Sequence, residues 1–318
     1  MEKDAPIYVA GHRGMVGSAC ERELRRQGYG NLILRTRREL DLTDAAATRA
    51  FFQETRPRYV IDAAARVGGI LANKTFPVDF LETNVLIQVN LMRGAFEAGV
   101  EKFLFLGSSC IYPKEAVQPM REDALLAGPL EPTNQAYAIA KISGILLAEA
   151  YRSQHGASFI SAMPTNLYGP GDNFDLQSSH VLPALIRKFH EAKERGDEAV
   201  TCWGSGRPRR EFLFVDDLAE ACVFLLENYD APGHVNVGFG EDLTIADLAE
   251  TVRRVVGFEG RIDWDASMPD GTMRKLMDIS KIRELGWTPK TSLENGIRLA
   301  YDWYLQVAET PAPSSQPT

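Results

Sequence analysis

Five side chains able to move a proton or polarise a carbonyl stand in three short stretches. Ser108 and Cys110 lie in "LGSSCIYPK", Tyr137 and Lys141 in "NQAYAIAKISG", and His180 in "SSHVLPALIRKFHEA". Tyr137 and Lys141 are spaced i, i+4 in a strongly helical stretch, so one helix face presents both. A phenol has an unperturbed pKa near ~10 and needs a nearby cation to exchange protons at neutral pH. Ser108 lies 29 residues before Tyr137 at the end of an apolar run, and ligands of open α/β sheets gather at strand ends. Cys110 and His180 are ambiguous alone: a strand-end thiol is usually a small buried hydrophobe, and a histidine near a helix start is usually a cap or core group. "GSSCI" lacks the GxSxG elbow of a serine hydrolase.

These groups need a frame that brings them together. Apolar runs at 7–10, 31–36, 59–64, 102–107 and 158–163 alternate with helical stretches such as "SACERELRRQG" and "TDAAATRAFFQET". Such alternation predicts βαβ units, hence an α/β fold with a doubly wound parallel (Rossmann) sheet covered on both faces. From about 166 the texture changes to loops and shorter elements. The expected organisation is a dinucleotide-binding domain over 1–165, joined by a returning strand and helix near 211–237. A smaller α/β substrate domain covers 166–308, and a Pro- and Ser-rich tail, 309–318, is expected to be disordered. Thr244 and Thr291 each precede an acid by three residues, the spacing of a capping box at a helix start.

Gly11, Gly14 and Gly17 follow the first strand and open the first helix in "VAGHRGMVGSA". Glycines there permit a tight turn, close approach of backbone to a pyrophosphate and close helix–strand packing, and the helix start supplies free N–H groups. The spacing is GxxGxxG, and its place between strand and helix predicts a dinucleotide site. The second strand ends "LRTRREL", with Arg35, Arg37 and Arg38 and no acid before Glu39. Guanidinium forks suit the extra phosphate of NADP, which a carboxylate would repel. Arg13 can reach the same phosphate, and NADP(H) is the expected cofactor; the alternative is a solvated basic turn.

Lys plus Arg number 35 against 43 Asp plus Glu, and the resulting −8 argues against binding nucleic acid. Four cysteines far apart, without a CxxC pair, point to reduced thiols in a cytoplasmic protein rather than to a zinc site or disulfide framework. No metal motif such as HExxH is present. No signal-peptide pattern opens the chain and no apolar run is long enough for a membrane helix.

GxxGxxG after the first strand, a strand-end serine and YxxxK on the following helix resemble the extended short-chain dehydrogenase/reductase family over nearly the whole chain. That resemblance implies that Tyr137 exchanges a proton with the reacting oxygen, that Lys141 lowers its pKa and binds the nicotinamide ribose, and that Ser108 hydrogen-bonds the oxygen. "GSSCIYPK", "EPTNQAYAIAK", "MPTNLYGPGDNF" and "SSHVLPALIRKFHEA" are further similar to the branch that epimerises carbons 3 and 5 of a GDP-linked 4-ketohexose and reduces carbon 4. There Cys110 is the implied base and His180 the acid. Implied cofactor contacts are Gly11, His12, Arg13, Gly14, Met15, Val16, Gly17, Arg35, Arg37, Asp41, Leu42, Ala64, Ala65, Lys141, Pro164, Thr165, Asn166, Leu167 and His180. Lys188, Trp203, Arg210 and Asp278 are implied to hold the GDP-sugar. The resemblance also implies a homodimer. Another nucleotide-sugar epimerase or reductase with the same machinery is the alternative.

Overall fold

A computed structural model describes residues 1–308 except 177 and 269; the tail expected to be disordered lies outside the described residues. Five strands carry the first half: β1 (Ile7–Ala10), β2 (Leu32–Ile33), β3 (Tyr59–Asp62), β4 (Lys102–Leu106) and β5 (Phe159–Pro164). Except for β2 and the first residue of β4, these strands are buried along their whole length, as in a sheet covered on both faces. Helices α1 (Met15–Arg26), α2 (Ala45–Thr55), α3 (Ile70–Thr75), α4 (Pro77–Ala98) and α5 (Gln135–His155) connect them. A sixth strand, Val235–Val237, joins the edge, giving the parallel order Val235–Val237, β5, β4, β3, β1, β2. It follows the helix Val215–Asn228, which packs against α1. The mixed α/β architecture with a parallel Rossmann sheet matches the sequence expectation. The second strand is shorter than expected: only Leu32 and Ile33 pair with β1 at this edge.

A second hydrophobic cluster, including Tyr168, Leu185, Phe189, Val252 and Ile297, lies apart from the sheet core. It is built by α6 (Val181–Arg195), the helices Ile245–Val256 and Leu293–Ala308, and the parallel pair Ala199–Trp203 with Arg261–Asp265. Thr244 caps its helix, its hydroxyl accepting from the Asp247 N–H at 3.0 Å. Thr291 does not cap: its hydroxyl donates to buried Asp217 at 2.9 Å, and the helix starts two residues later, where the Ser292 hydroxyl accepts from the Asn295 N–H. A tertiary partner thus outcompetes the local cap.

Two contacts set the helix that carries Tyr137 and Lys141. A Cβ on Gly144 would fall 2.3 Å from the Phe105 ring and 2.7 Å from the Gln88 amide oxygen, so only glycine lets α5 lie this close to β4 and α4. The Gln88 amide donates to the Ala140 carbonyl at 2.7 Å and the Ser143 hydroxyl at 2.8 Å. One face of α5 is thereby pressed onto the end of β4.

Candidate active site

The glycine loop is shaped for close backbone approach. Gly11 has φ +76°, and a Cβ there would meet the Ala63 carbonyl oxygen at 2.8 Å and the Ala64 Cα at 2.9 Å. A Cβ on Gly17 would lie 2.2 Å from the Gly11 carbonyl oxygen. The cap residue Gly14 brings no side chain, and no acid sits in the first turn with Met15 and Val16, so the first N–H groups of α1 face outward uncapped. That is an anion site by geometry and helix dipole. The buried Nδ1 of His12 has no partner among the described residues.

The charges of Arg35 and Arg13 both lie near enough to the Glu39 carboxylate to favour its ionised form. That carboxylate is held below its ordinary value first by the Thr36 backbone N–H, which it accepts at 2.7 Å. Arg37 stands 3.9 Å from Asp41, which also accepts from Thr43, while the Leu42 carbonyl accepts from Asn90 on α4. Ala64 donates its N–H to Asp62, and Ala65 follows it out of the strand. Beyond Pro164 at the end of β5, the Thr165 N–H donates to the Val237 carbonyl; Asn166, beside Leu167, donates its amide to the Glu211 carbonyl at 2.8 Å.

Lys141 is buried, and its ammonium donates to the Leu106 carbonyl at 2.8 Å. It lies 4.8 Å from the Phe105 ring centroid and 5.9 Å from that of Tyr137. Burial lowers its pKa, opposed by the negative charges of Asp62 and Cys110. Burial also pushes the Tyr137 phenol above its ordinary value, reinforced by charge on Cys110. The phenol is therefore firmly protonated in the free protein, the state needed to give a proton. Ser108 opens the turn Ser109–Ile111, and its hydroxyl oxygen accepts from the Cys110 N–H at 3.4 Å.

Cys110 is buried, and burial raises its thiol, opposed by the Ser108 hydroxyl and then by the Lys275 and Lys141 ammoniums. The turn is pinned from behind: the Tyr112 hydroxyl, 2.9 Å from His234 Nε2, donates to the side-chain amide oxygen (Oδ1) of Asn236 at 2.5 Å. His180 stands at the cap position of α6. Though exposed as a residue, it is crowded enough by surrounding chain that burial holds its imidazole below the ordinary histidine value.

The Trp203 indole is 64% exposed, and the Lys188 ammonium lies 5.4 Å from its ring centroid, a free aromatic face beside a cation. Arg210 is half-buried and bonds only the Arg209 carbonyl among the described residues, so burial depresses its charged form with no carboxylate to compensate. Asp278 is engaged elsewhere, accepting from the Ser280 N–H at the start of a short helix. From the same late segment it is Lys275 that reaches the site, paired in register with Arg210 through strands Arg274–Lys275 and Arg209–Arg210. Glu211, fully buried, ties these pieces together: its carboxylate accepts from the Gly240 N–H at 2.7 Å and the Met277 N–H at 3.1 Å.

Two of these residues escape sequence reasoning. Lys275 sits in a charged segment that gives no cue of its own. Asp62 carries one signal, an acid closing the apolar strand "YVID". Buried directly opposite Phe105 on the neighbouring strand, it accepts from Ala64 with one oxygen and leaves the other without a hydrogen-bond partner among the described residues.

The profile of the NAD dependent epimerase/dehydratase family matches residues 7–238. The chain belongs to the NAD dependent epimerase/dehydratase family. Within this epimerase/dehydratase family it is 61% identical over 305 residues to GDP-L-fucose synthase 1 of Arabidopsis thaliana, covering 96% of this chain and 94% of that one. It is 52% identical to GDP-L-fucose synthase of Escherichia coli, over 94% of this chain and 96% of the other. Among solved structures, a GDP-L-fucose synthetase from Naegleria fowleri bound to NADP superposes with a TM-score of 0.88 at 31% identity, covering 98% of this chain and 97% of that one.

Proposed function

We propose that the chain converts GDP-4-dehydro-6-deoxy-D-mannose to GDP-L-fucose with NADPH, by epimerisation at carbons 3 and 5 and reduction at carbon 4. The observation that carries this reading is the meeting of Ser108, Cys110, Tyr137 and Lys141 at one strand end, in a chain so close to two GDP-L-fucose synthases along nearly its full length. The glycine cradle, the uncapped start of α1, the His12 nitrogen unpartnered among the described residues and the positive charges of Arg13 and Arg35 near Glu39 all fit NADP(H).

The ketone at carbon 4 acidifies the neighbouring C–H bonds, and each inversion needs a base on one face and an acid on the other. Cys110 is the base, its thiolate favoured by the nearby Lys275 and Lys141 charges against the cost of burial. His180 is the acid. The Ser108 and Tyr137 hydroxyls hydrogen-bond the enolate oxygen. Bound NADPH supplies hydride to carbon 4. Tyr137 then gives its proton to the oxygen, while Lys141, anchored on the Leu106 carbonyl, holds positive charge beneath the ring. Arg210 meets the pyrophosphate that its lack of a carboxylate calls for, with Lys188 and Trp203 at the nucleotide.

The same reading divides the chain into a cofactor domain, 1–165 with the returning 211–237 segment, and a substrate domain over most of 166–308; the two hydrophobic clusters support it. Exposed apolar side chains on α4 (Leu81, Leu86, Val89, Phe96) and α5 (Ile139, Leu146) support a homodimer through these helices. Four buried free thiols support a reducing, cytoplasmic setting. No helix among the described residues is long and apolar enough to cross a membrane.

Incubation with the GDP-ketosugar and NADPH is expected to oxidise one NADPH for each GDP-L-fucose formed. Absence of NADPH oxidation overturns the reading; oxidation with a different GDP-4-ketosugar alone would reassign the sugar.

A further inference from the structure

Helix α3 and its flanks have no part in the chemistry above, yet they bridge its two sides. α3 packs against the turn Pro132–Asn134, which leads into α5 and Tyr137. Its cap residue Gly69 donates its N–H to the Ser178 carbonyl at 3.3 Å, two residues before His180. A Cβ on Gly69 would lie 3.2 Å from that carbonyl and 3.5 Å from the Ser179 carbonyl oxygen. A Cβ on Gly68 would touch the Phe80 ring at 3.0 Å, and Phe80 packs edge-on against Tyr137 with centroids 6.2 Å apart. The segment from Gly68 to Asn73 therefore touches both the Phe80 ring that packs on Tyr137 and the backbone that leads into His180.

Three side-chain oxygens on these touching segments are shielded from solvent and have no hydrogen-bond partner among the described residues: Asn73 Oδ1, Asn134 Oδ1 and Ser179 Oγ. Asn73 is 7% exposed. Its amide orientation is settled chemically, because its nitrogen donates to the Gly68 carbonyl at 2.8 Å and the Gly69 carbonyl at 3.1 Å. Two acceptors fix the NH2 end, so the oxygen is left as an acceptor without a donor. Buried groups of this kind normally find partners. Three on adjoining segments mark a place where something else supplies them.

We propose that Asn73, Asn134 and Ser179 form a neutral hydroxyl-binding subsite that seats the hexose ring of the nucleotide sugar between Tyr137 and His180. The chemistry of the set selects the ligand class. None of the three is charged, so they do not suit a phosphate, for which Arg210 and Lys188 stand elsewhere. Acceptor oxygens with a serine hydroxyl, which both donates and accepts, suit the vicinal hydroxyls of a sugar. Seating the ring matters because small misplacements of a reacting centre cost large factors in rate. The subsite rests on the nucleotide-sugar reading given above.

The test compares GDP, which lacks the sugar, with GDP-mannose, which carries an unreactive hexose, by titration calorimetry on the full chain. The parent is expected to bind GDP-mannose more tightly than GDP. Ser179→Ala and Asn134→Ala remove oxygens that bond nothing among the described residues, so folding is expected to survive. Each should weaken GDP-mannose by about 3- to 10-fold, the usual worth of one hydrogen bond, and leave GDP unchanged. Asn73→Ala should do at least as much, and the loss of its two backbone contacts should lower the melting temperature. Equal binding of GDP and GDP-mannose by the parent, or unchanged GDP-mannose affinity in both Ser179→Ala and Asn134→Ala, overturns the subsite. A parent that binds neither compound overturns the nucleotide-sugar reading, and the subsite with it.

Discussion

Asp62 tests how the charges of the site are balanced. Burial lifts its carboxyl from 3.8 to about 6, even though the Lys141 ammonium and the Ala64 N–H pull the other way. Burial therefore outweighs attraction. A carboxylate whose folded value is raised weakens the fold where it is ionised, fully above about 6 and not at all below 3.8. A gap of about two pH units corresponds to about 3 kcal/mol. Asp62→Asn, neutral and nearly isosteric, is expected to be more stable than the parent at pH 7 by up to about 3 kcal/mol. The advantage should fade as pH falls through about 6 and vanish near 4. Urea midpoints measured across this range give the curve directly. Activity should move the opposite way. Lys141 is already lowered by burial and faces Asp62 on β3, Cys110 on the 109–111 turn and Tyr137 on its own helix; losing the Asp62 charge lowers it further. The alkaline limb of NADPH oxidation should shift to lower pH. If Asp62→Asn is instead destabilised by the 3–5 kcal/mol typical of a broken buried ion pair, or if its stability difference does not vary with pH, the balance drawn here is wrong.

Cys110→Ser should lose solvent deuterium exchange at carbons 3 and 5 by about 10²- to 10⁴-fold, the worth of a positioned general base, while keeping NADPH affinity; wild-type exchange in this variant removes the thiol from the mechanism. Gly17→Ala places a methyl carbon 2.2 Å from the Gly11 carbonyl oxygen, so the cradle must open. NADPH affinity measured by fluorescence titration should fall by about tenfold or more, since overpacking costs typically 1–3 kcal/mol; unchanged affinity would mean that the pyrophosphate lies elsewhere.

What the sequence shows on its own is whatever local spacing encodes. The i, i+4 step from Tyr137 to Lys141 becomes one helix face, and the glycines between β1 and α1 become a cradle, because each depends on neighbours a few residues away. Lys275 and Asn73 are not legible, and Asp62 only as an acid closing an apolar strand, since long-range arrangement gives each its surroundings. Sheet register sets Asp62 opposite Phe105, and strand pairing carries Lys275 alongside Arg210. Asn73 gains its setting only when α3 meets the segment before His180. Thr291 shows the converse: good cap spacing, overruled by a carboxylate 74 positions away.

Glu211 carries a further consequence. Its carboxylate clasps amides from two separate later segments, at Gly240 and Met277, while its own carbonyl receives Asn166. Prising that seam apart would leave a negative charge in the protein interior stripped of its donors. The molecule is thus riveted along one margin, with the segments around Gly240, Met277 and Asn166 held to one buried carboxylate residue.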